Sequence, residues 1–313
     1  MGDILLATPL IRSIKKQYPN IKIDFILKEQ YKDLLLHNPY LSELYTYKTQ
    51  RQQNLQLFNK LKEKHFDLFI DLHNNFRSAE LKRILKAPSV SFKKKSLEKF
   101  LLVNFKINRL ADSPQIPVRY AETLGNLTLD DEGLDLFLPG NLVPTLNVNE
   151  NYIGIAPGSR HFTKMWPKEY YIELENILAN NNYKVAVFGG KDDKQVCEEI
   201  STGVKGSINL CNEDNIFKTA VDMKQCRAVI CNDSGLMHAA CALKLPVLTF
   251  FGSTVKEFGF TPYKNKSIIL ENAGLSCRPC SHIGLGSCPK KHFNCMLYLT
   301  PQLAFTKLKL LLN

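Results

Sequence analysis

No run of apolar residues in this chain reaches the roughly 18 needed to span a bilayer, and the first residues lack the basic n-region and apolar core of an export signal. The expectation is a cytoplasmic protein. Nine cysteines, an odd number scattered through the expected strands and helices, fit a reducing compartment better than a disulfide scaffold. No Walker A lysine motif and no G-x-G-x-x-G follows any expected strand, which argues against a P-loop nucleotidase and a dehydrogenase. Neither an internal repeat of about 20 to 50 residues nor a low-complexity tract is present. No nucleic-acid-binding motif accompanies the basic charge, so nucleic acid is not an expected partner.

What is present is enough for two cores. At 313 residues, 44% hydrophobic and 23% charged, the chain can bury two domains of about 150 residues each. Residues 152–156, 184–188 and 247–251 are short β-branched or aromatic runs that each end in glycine or proline, and helical patterns follow the first two at 168–179 and 191–200. Strands alternating with helices imply βαβ units and a parallel sheet, whose ligands bind outside the carboxyl ends of the strands. The N-terminal half repeats the theme, with strands expected at 22–27 and 67–72 and helices at 53–64 and 77–86. Both patterns lapse at 138–151, among Pro139, Gly140 and Pro144. We therefore divide the chain into residues 1–140 and 141–313.

One stretch carries chemistry. At residues 229–240 a buried strand runs into Asn232-Asp233-Ser234-Gly235 and then directly into a helix. The first N–H groups of a helix lack internal partners and the peptide dipoles add positive charge, so a phosphate is stabilised there, with Gly235 allowing close approach. Alternatively Asn232, Asp233 and Ser234 simply cap the helix. Lys164, in the loop from Ser159 and Arg160 to the single tryptophan, Trp166, would face the same crevice. Backbone donors on one side and Lys164 with Arg160 on the other suit a nucleoside diphosphate.

Charge adds a second clue. Of the net +11, residues 76–109 alone supply ten Lys or Arg against Glu80 and Glu98. Arg77, Lys82 and Arg83 on one helix, and Lys93, Lys94 and Lys95 before an apolar run, suit a phosphorylated saccharide, an anionic lipid headgroup or a membrane face. A merely solvated basic face is the alternative.

Three segments together, residues 1–10 beginning Met1-Gly2-Asp3, the loop 157–167, and Asn232 to His238 with Pro246 and Gly252, resemble family-9 glycosyltransferases, the ADP-heptose:lipopolysaccharide heptosyltransferases, and most nearly the heptosyltransferase II type. The resemblance covers nearly the whole chain. It implies an α/β GT-B architecture, two Rossmann-like domains facing a cleft, the N-terminal one taking the acceptor and the C-terminal one the sugar nucleotide. A hydrophobic strand precedes the Gly-Asp pair in that family; here the N-terminal domain is expected to lack it, as though the start were assigned too late. The resemblance makes Asp3 the general base, against the alternative that it caps a helix, with Thr8-Pro9 offering a second helix start. Ser159, Arg160, Lys164, Asp233, Ser234, Gly235 and His238 become the donor site, Lys164 and the helix start stabilising the departing ADP. The partners implied are ADP-heptose and the lipid-linked lipopolysaccharide core, with peripheral contact at the inner membrane. No catalytic cofactor is expected, in keeping with the lack of an Asp-x-Asp pair. Cys277, Cys280, Cys288 and Cys295 could hold a structural zinc, or be free thiols or a disulfide. A GT-B sugar-nucleotide epimerase and a non-catalytic nucleotide-binding fragment are the other readings.

Overall fold

The protein is seen here as a computed structural model, which describes residues 1–125 and 127–313, with side chains for all of these but 51 and 52. The N-terminal half opens with two short helices, α1 (Gly2–Leu5) and α2 (Thr8–Gln17), followed by β1 (Asp24–Lys28) and β2 (Glu43–Tyr47). Next come α3 (Leu55–Glu63), β3 (Phe69–Asp71), α4 (Phe76–Leu85), β4 (Ser89–Ser91), α5 (Ser96–Phe105) and α6 (Ile116–Ala121). The strands form two parallel pairs, β1 with β2 and β3 with β4, and among the described residues no strand joins the pairs. Helix α4 starts where it does because the Asn75 side chain accepts from the N–H groups of Arg77 and Ser78 while Ser78 returns a bond to Asn75. Pro9 lies in the first turn of α2 as its second residue, one place later than the sequence suggests. Thr8 does not cap it, however: its hydroxyl donates to the Leu5 carbonyl at 2.7 Å and accepts from the Asp135 N–H at 2.9 Å.

The described residues 127–151 contain neither helix nor strand. Beyond them lie β5 (Tyr152–Ala156), α7 (Lys168–Asn180), β6 (Lys184–Val187), α8 (Lys194–Gly203), β7 (Ile208–Asn209), α9 (Ile216–Met223), β8 (Cys226–Asn232), α10 (Gly235–Ala242), β9 (Val247–Phe251), β10 (Ser267–Glu271), α11 (Asn294–Leu297) and α12 (Pro301–Leu312). The six strands make one parallel sheet in the order β10-β9-β8-β5-β6-β7. Every residue of β5 and β9 is buried, as strands covered on both faces require. The helix expected from residue 191 begins at Lys194, because Asp193 folds back to accept the Gly190 N–H at 3.0 Å and closes a tight turn first.

Ala156 pairs with Cys231 and Asn232 with Phe250, so β5, β8 and β9 end at one level and their loops share one edge. One apolar core runs through both halves, joining Leu5, Leu6 and Leu10 to Ala239, Ala240 and Leu136. Among the described residues no helix is long and apolar enough to cross a membrane.

Candidate functional site

Asn232, the last residue of β8, is fully buried and ties the neighbouring loop to the strand. Its amide nitrogen donates to the Pro157 carbonyl at 2.6 Å, and its oxygen accepts from the Trp166 N–H at 3.0 Å and the Tyr171 hydroxyl at 3.2 Å. Trp166 stacks on Phe250 with centroids 4.2 Å apart and donates its indole N–H to the Leu299 carbonyl. The loop 157–166 is therefore pinned at its far end by the tryptophan. Its middle is held by Thr163, which exchanges bonds with the Leu285 backbone.

Lys164 lies inside this edge with its ammonium 2.7 Å from Asp233, whose same oxygen accepts from Thr254 at 2.8 Å. The lysine is thus paired, and its charge is shared with Asp233. Ser234 takes the cap position of α10, yet its hydroxyl is buried without a partner, as is the Ser253 hydroxyl at the end of β9. Buried hydroxyls left unbonded are costly. Two of them at the rim of one crevice, beside free helix N–H groups, give a donor-rich wall suited to phosphate oxygens. Ser159 lies half-buried at the end of β5 and Arg160 is exposed. Gly158 and Gly190 complete the rim, where a Cβ would meet Asp193 and Asp214. The Asp214 carboxylate accepts the Lys191 N–H at 3.0 Å.

Helix α1 packs directly on α10. A Cβ on Gly2 would come within 2.8 Å of the His238 ring, and one on Gly235 within 2.9 Å of the Met1 sulfur. Asp3 sits in the first turn of α1, exposed, and no hydrogen bond holds its carboxylate among the described residues. The helix-cap alternative thus finds no bond to support it. His238 is buried with its Nδ1 unpartnered, and desolvation pushes its pKa down to about 4 against the opposing pull of Asp233 and Asp3, so the ring is neutral at physiological pH.

Facing Asp3 is a group of side chains that sequence patterns did not single out. Burial, and then the Asp3 charge, raise the Tyr120 hydroxyl above its ordinary range. Lys99, whose ammonium lies 5.9 Å from the Phe260 ring centre, is pushed down by burial and by the charge of Arg119, with Asp3 opposing. Arg119 is 3% exposed, stacks over Phe92 and donates from Nη2 to the Lys93 carbonyl at 3.0 Å, but its Nη1 is buried without a partner. His282 is pushed down by burial and by Lys99. One buried cation, Arg119, and one half-buried cation, Lys99, thus lie on the side of the molecule that Asp3 faces.

The predicted basic segment is divided. Lys82 forms an ion pair with the buried Asp71 at 2.9 Å, and Arg77 stacks on Tyr47 with its Nη1 3.3 Å from the tyrosine hydroxyl, so both have structural work. Arg83, Lys93 and Lys94 are exposed, and Lys95 donates to the Ser113 hydroxyl at 2.9 Å. All nine cysteines are free thiols. Cys277 approaches His292 at 3.8 Å, and Cys277, Cys280 and Cys288 all lie near enough to Cys295 to raise its pKa, after burial, to about 11. Among the described residues, however, no three Cys, His, Asp or Glu side chains gather as a metal would require. The arrangement therefore does not fit a zinc ion as it stands. Arg278, between the first two cysteines, was not anticipated: its guanidinium bonds the Phe251, Gly252 and Thr254 carbonyls and fixes the loop that carries Ser253.

The profile of glycosyltransferase family 9 (heptosyltransferase) matches residues 54–287. The lipopolysaccharide heptosyltransferase 2 of Salmonella typhimurium is 26% identical over 285 residues, covering 82% of each chain. The lipooligosaccharide heptosyltransferase 2 of Haemophilus influenzae is 26% identical over 340 residues, covering 100% of this chain and 96% of that protein. Among solved structures, the ADP-heptose lipopolysaccharide heptosyltransferase II of E. coli superposes with a TM-score of 0.75 at 24% identity, over 99% of this chain and 95% of that one. The fold is accordingly GT-B, with parallel sheets on both sides of the cleft.

Proposed function

Because the chain belongs to glycosyltransferase family 9, the heptosyltransferases, we propose that it transfers heptose from ADP-heptose, with inversion, to the inner core of lipopolysaccharide. Relatives with that name along most of their length support the donor and acceptor classes. The observation that carries the mechanism is the packing of α1 on α10, which brings an unbonded carboxylate to the start of the helix that faces the crevice. In the proposed reaction Asp3 takes the proton of the acceptor hydroxyl as that oxygen bonds to the anomeric carbon. On the opposite side the bond from that carbon to the diphosphate oxygen breaks, and ADP leaves with the electron pair.

The departing charge falls on the free N–H groups of α10, the hydroxyls of Ser234 and Ser253, and the Lys164 ammonium, with Ser159 and Arg160 bordering the phosphates. Asp233 holds Lys164 until the diphosphate arrives. His238 supports α1 through its contact with Gly2. Arg119, through its unpartnered Nη1, and Lys99 would receive an anionic substituent of the acceptor sugar. The acceptor's lipid anchor implies work at the cytoplasmic face of the inner membrane. Glycosyltransferase membership disfavours the epimerase.

The test is heptose transfer from ADP-heptose to heptose-deficient core lipopolysaccharide by the wild type and Asp3→Asn. Loss of transfer with ADP binding retained supports the base. Undiminished transfer by Asp3→Asn would assign the proton to another group, and ADP binding without transfer by the wild type would favour the non-catalytic reading.

A further inference from the structure

We propose that the outer edge of α5 is a docking surface for an anionic lipid bilayer. Leu97, Phe100 and Phe105 on this helix and Ile107 just beyond it are 63%, 54%, 62% and 48% exposed. They lie together because Leu97 and Phe100 are three residues apart on one helical face, and the Phe100 and Phe105 rings meet edge-on at 5.9 Å. The opposite side is committed to the protein, since Leu102 is buried with Leu110 and Phe258. Exposed apolar residues scattered singly need no partner, but a contiguous ridge of aromatic and aliphatic side chains marks a contact surface.

The charges around the ridge select the occupant. Lys93 and Lys94 precede it, both exposed, and Lys106 and Arg109 follow it. A cavity of about 290 Å³ opens beside it, lined by Lys95, Asn108, Arg109, Ala111, Asp112 and Ser113. Two basic side chains against one acid give that cavity a net positive lining suited to a headgroup phosphate. Apolar rings flanked by cations are the pattern of a helix lying in the interface of an anionic membrane. Lys99 of the same helix is half-buried, its ammonium 5.9 Å from the Phe260 ring centre. Phe76, 99% exposed, stands at the same end of the β3–β4 pair, where Asn74 donates to the Phe92 carbonyl. This inference extends the lipid-linked acceptor of the proposed function, but it rests on the ridge and its charges.

The experiment is co-sedimentation of the full chain with vesicles of phosphatidylcholine alone or of phosphatidylcholine mixed with phosphatidylglycerol. Binding is expected only to the mixed vesicles. The variant Phe100→Ser/Phe105→Ser should bind them about tenfold more weakly or less still, and Lys93→Gln/Lys94→Gln about fivefold more weakly per lysine lost. Because both phenylalanines are exposed, the first variant should keep the wild-type melting temperature and full transfer to a short soluble acceptor. No binding to mixed vesicles, or unchanged binding by the phenylalanine variant, would overturn the proposal. So would a wild-type dimer that the same variant converts to monomer with vesicle binding intact, since the ridge would then cover a second copy. Vesicle binding needs neither donor nor acceptor, so a chain that binds lipid but transfers nothing refutes only the functional reading.

Discussion

Lys164 and Asp233 meet at 2.7 Å while Thr254 bonds the same carboxylate oxygen, so on the proposed role a diphosphate would compete for the ammonium while Thr254 kept Asp233 in place. Preorganised donors of this kind contribute about 3 to 4 kcal/mol to a transition state. Lys164→Met should therefore lower kcat on the order of 10²- to 10³-fold, measured by steady-state transfer kinetics. A rise in KM alone would reassign the lysine to ground-state binding. Ser234 and Gly235 could be singled out in the sequence because they sit on a strand-turn-helix, whose first N–H groups either meet an anion or are capped, and Lys164 because its loop follows another strand end and precedes the single tryptophan. Arg119, Lys99 and Tyr120 could not. They sit on α5 and α6 with no motif around them, and what they do depends on distant partners such as Phe260 and Asp3. For Lys82 the missing information is different, since a run of basic residues does not disclose that one of them answers a buried Asp71.

Among the elements, α7 carries a buried acid that the catalytic proposal does not use. Glu175 is fully buried with, among the described residues, only the Ser207 hydroxyl at 3.3 Å as partner, and desolvation pushes its pKa up to about 8 from an ordinary 4.5. Between those two values the folded chain holds a proton that the unfolded chain has released, so stability falls as pH rises through the window. Glu175→Gln should raise the melting temperature at pH 8 and change it little at pH 4.5. The expected gain is about 1.4 kcal/mol for each unit of the shift realised in solution, read from chemical unfolding at several pH values. Long buried strands were legible, and β5 and β9 fall on the predicted residues. Three-residue β4, six-residue α6 and the turn before α8 escaped because each is too short for periodicity to register, and the last is set by one carboxylate bending back to Gly190.

Across the whole molecule, residues 130–135 act as a strap. Arg12, fully buried in α2, bonds Asp130, Asp135 and the Gly133 carbonyl. Lys244 reaches the Glu132 and Leu134 carbonyls from the end of α10, and Lys264 pairs with Asp131 at 2.5 Å. Arg12→Ala would strand the Asp135 carboxylate, while Asp130 keeps Lys16 at 3.0 Å, and should cost about 3 kcal/mol of stability, measured by denaturant unfolding. The Arg12 bonds hold Asp130 well below the ordinary carboxylate range. Its contribution is therefore present at neutral pH and lost only in acid, as that carboxylate takes up a proton. The missing Cβ of Gly2 has a mechanical consequence of its own. The α1 backbone rests on the His238 ring with no room for a methyl group between them. On the proposed roles, the spacing from nucleophile activator to leaving-group cradle is gauged by two hydrogen atoms, and a single added methyl group would push the base away from the leaving group it serves.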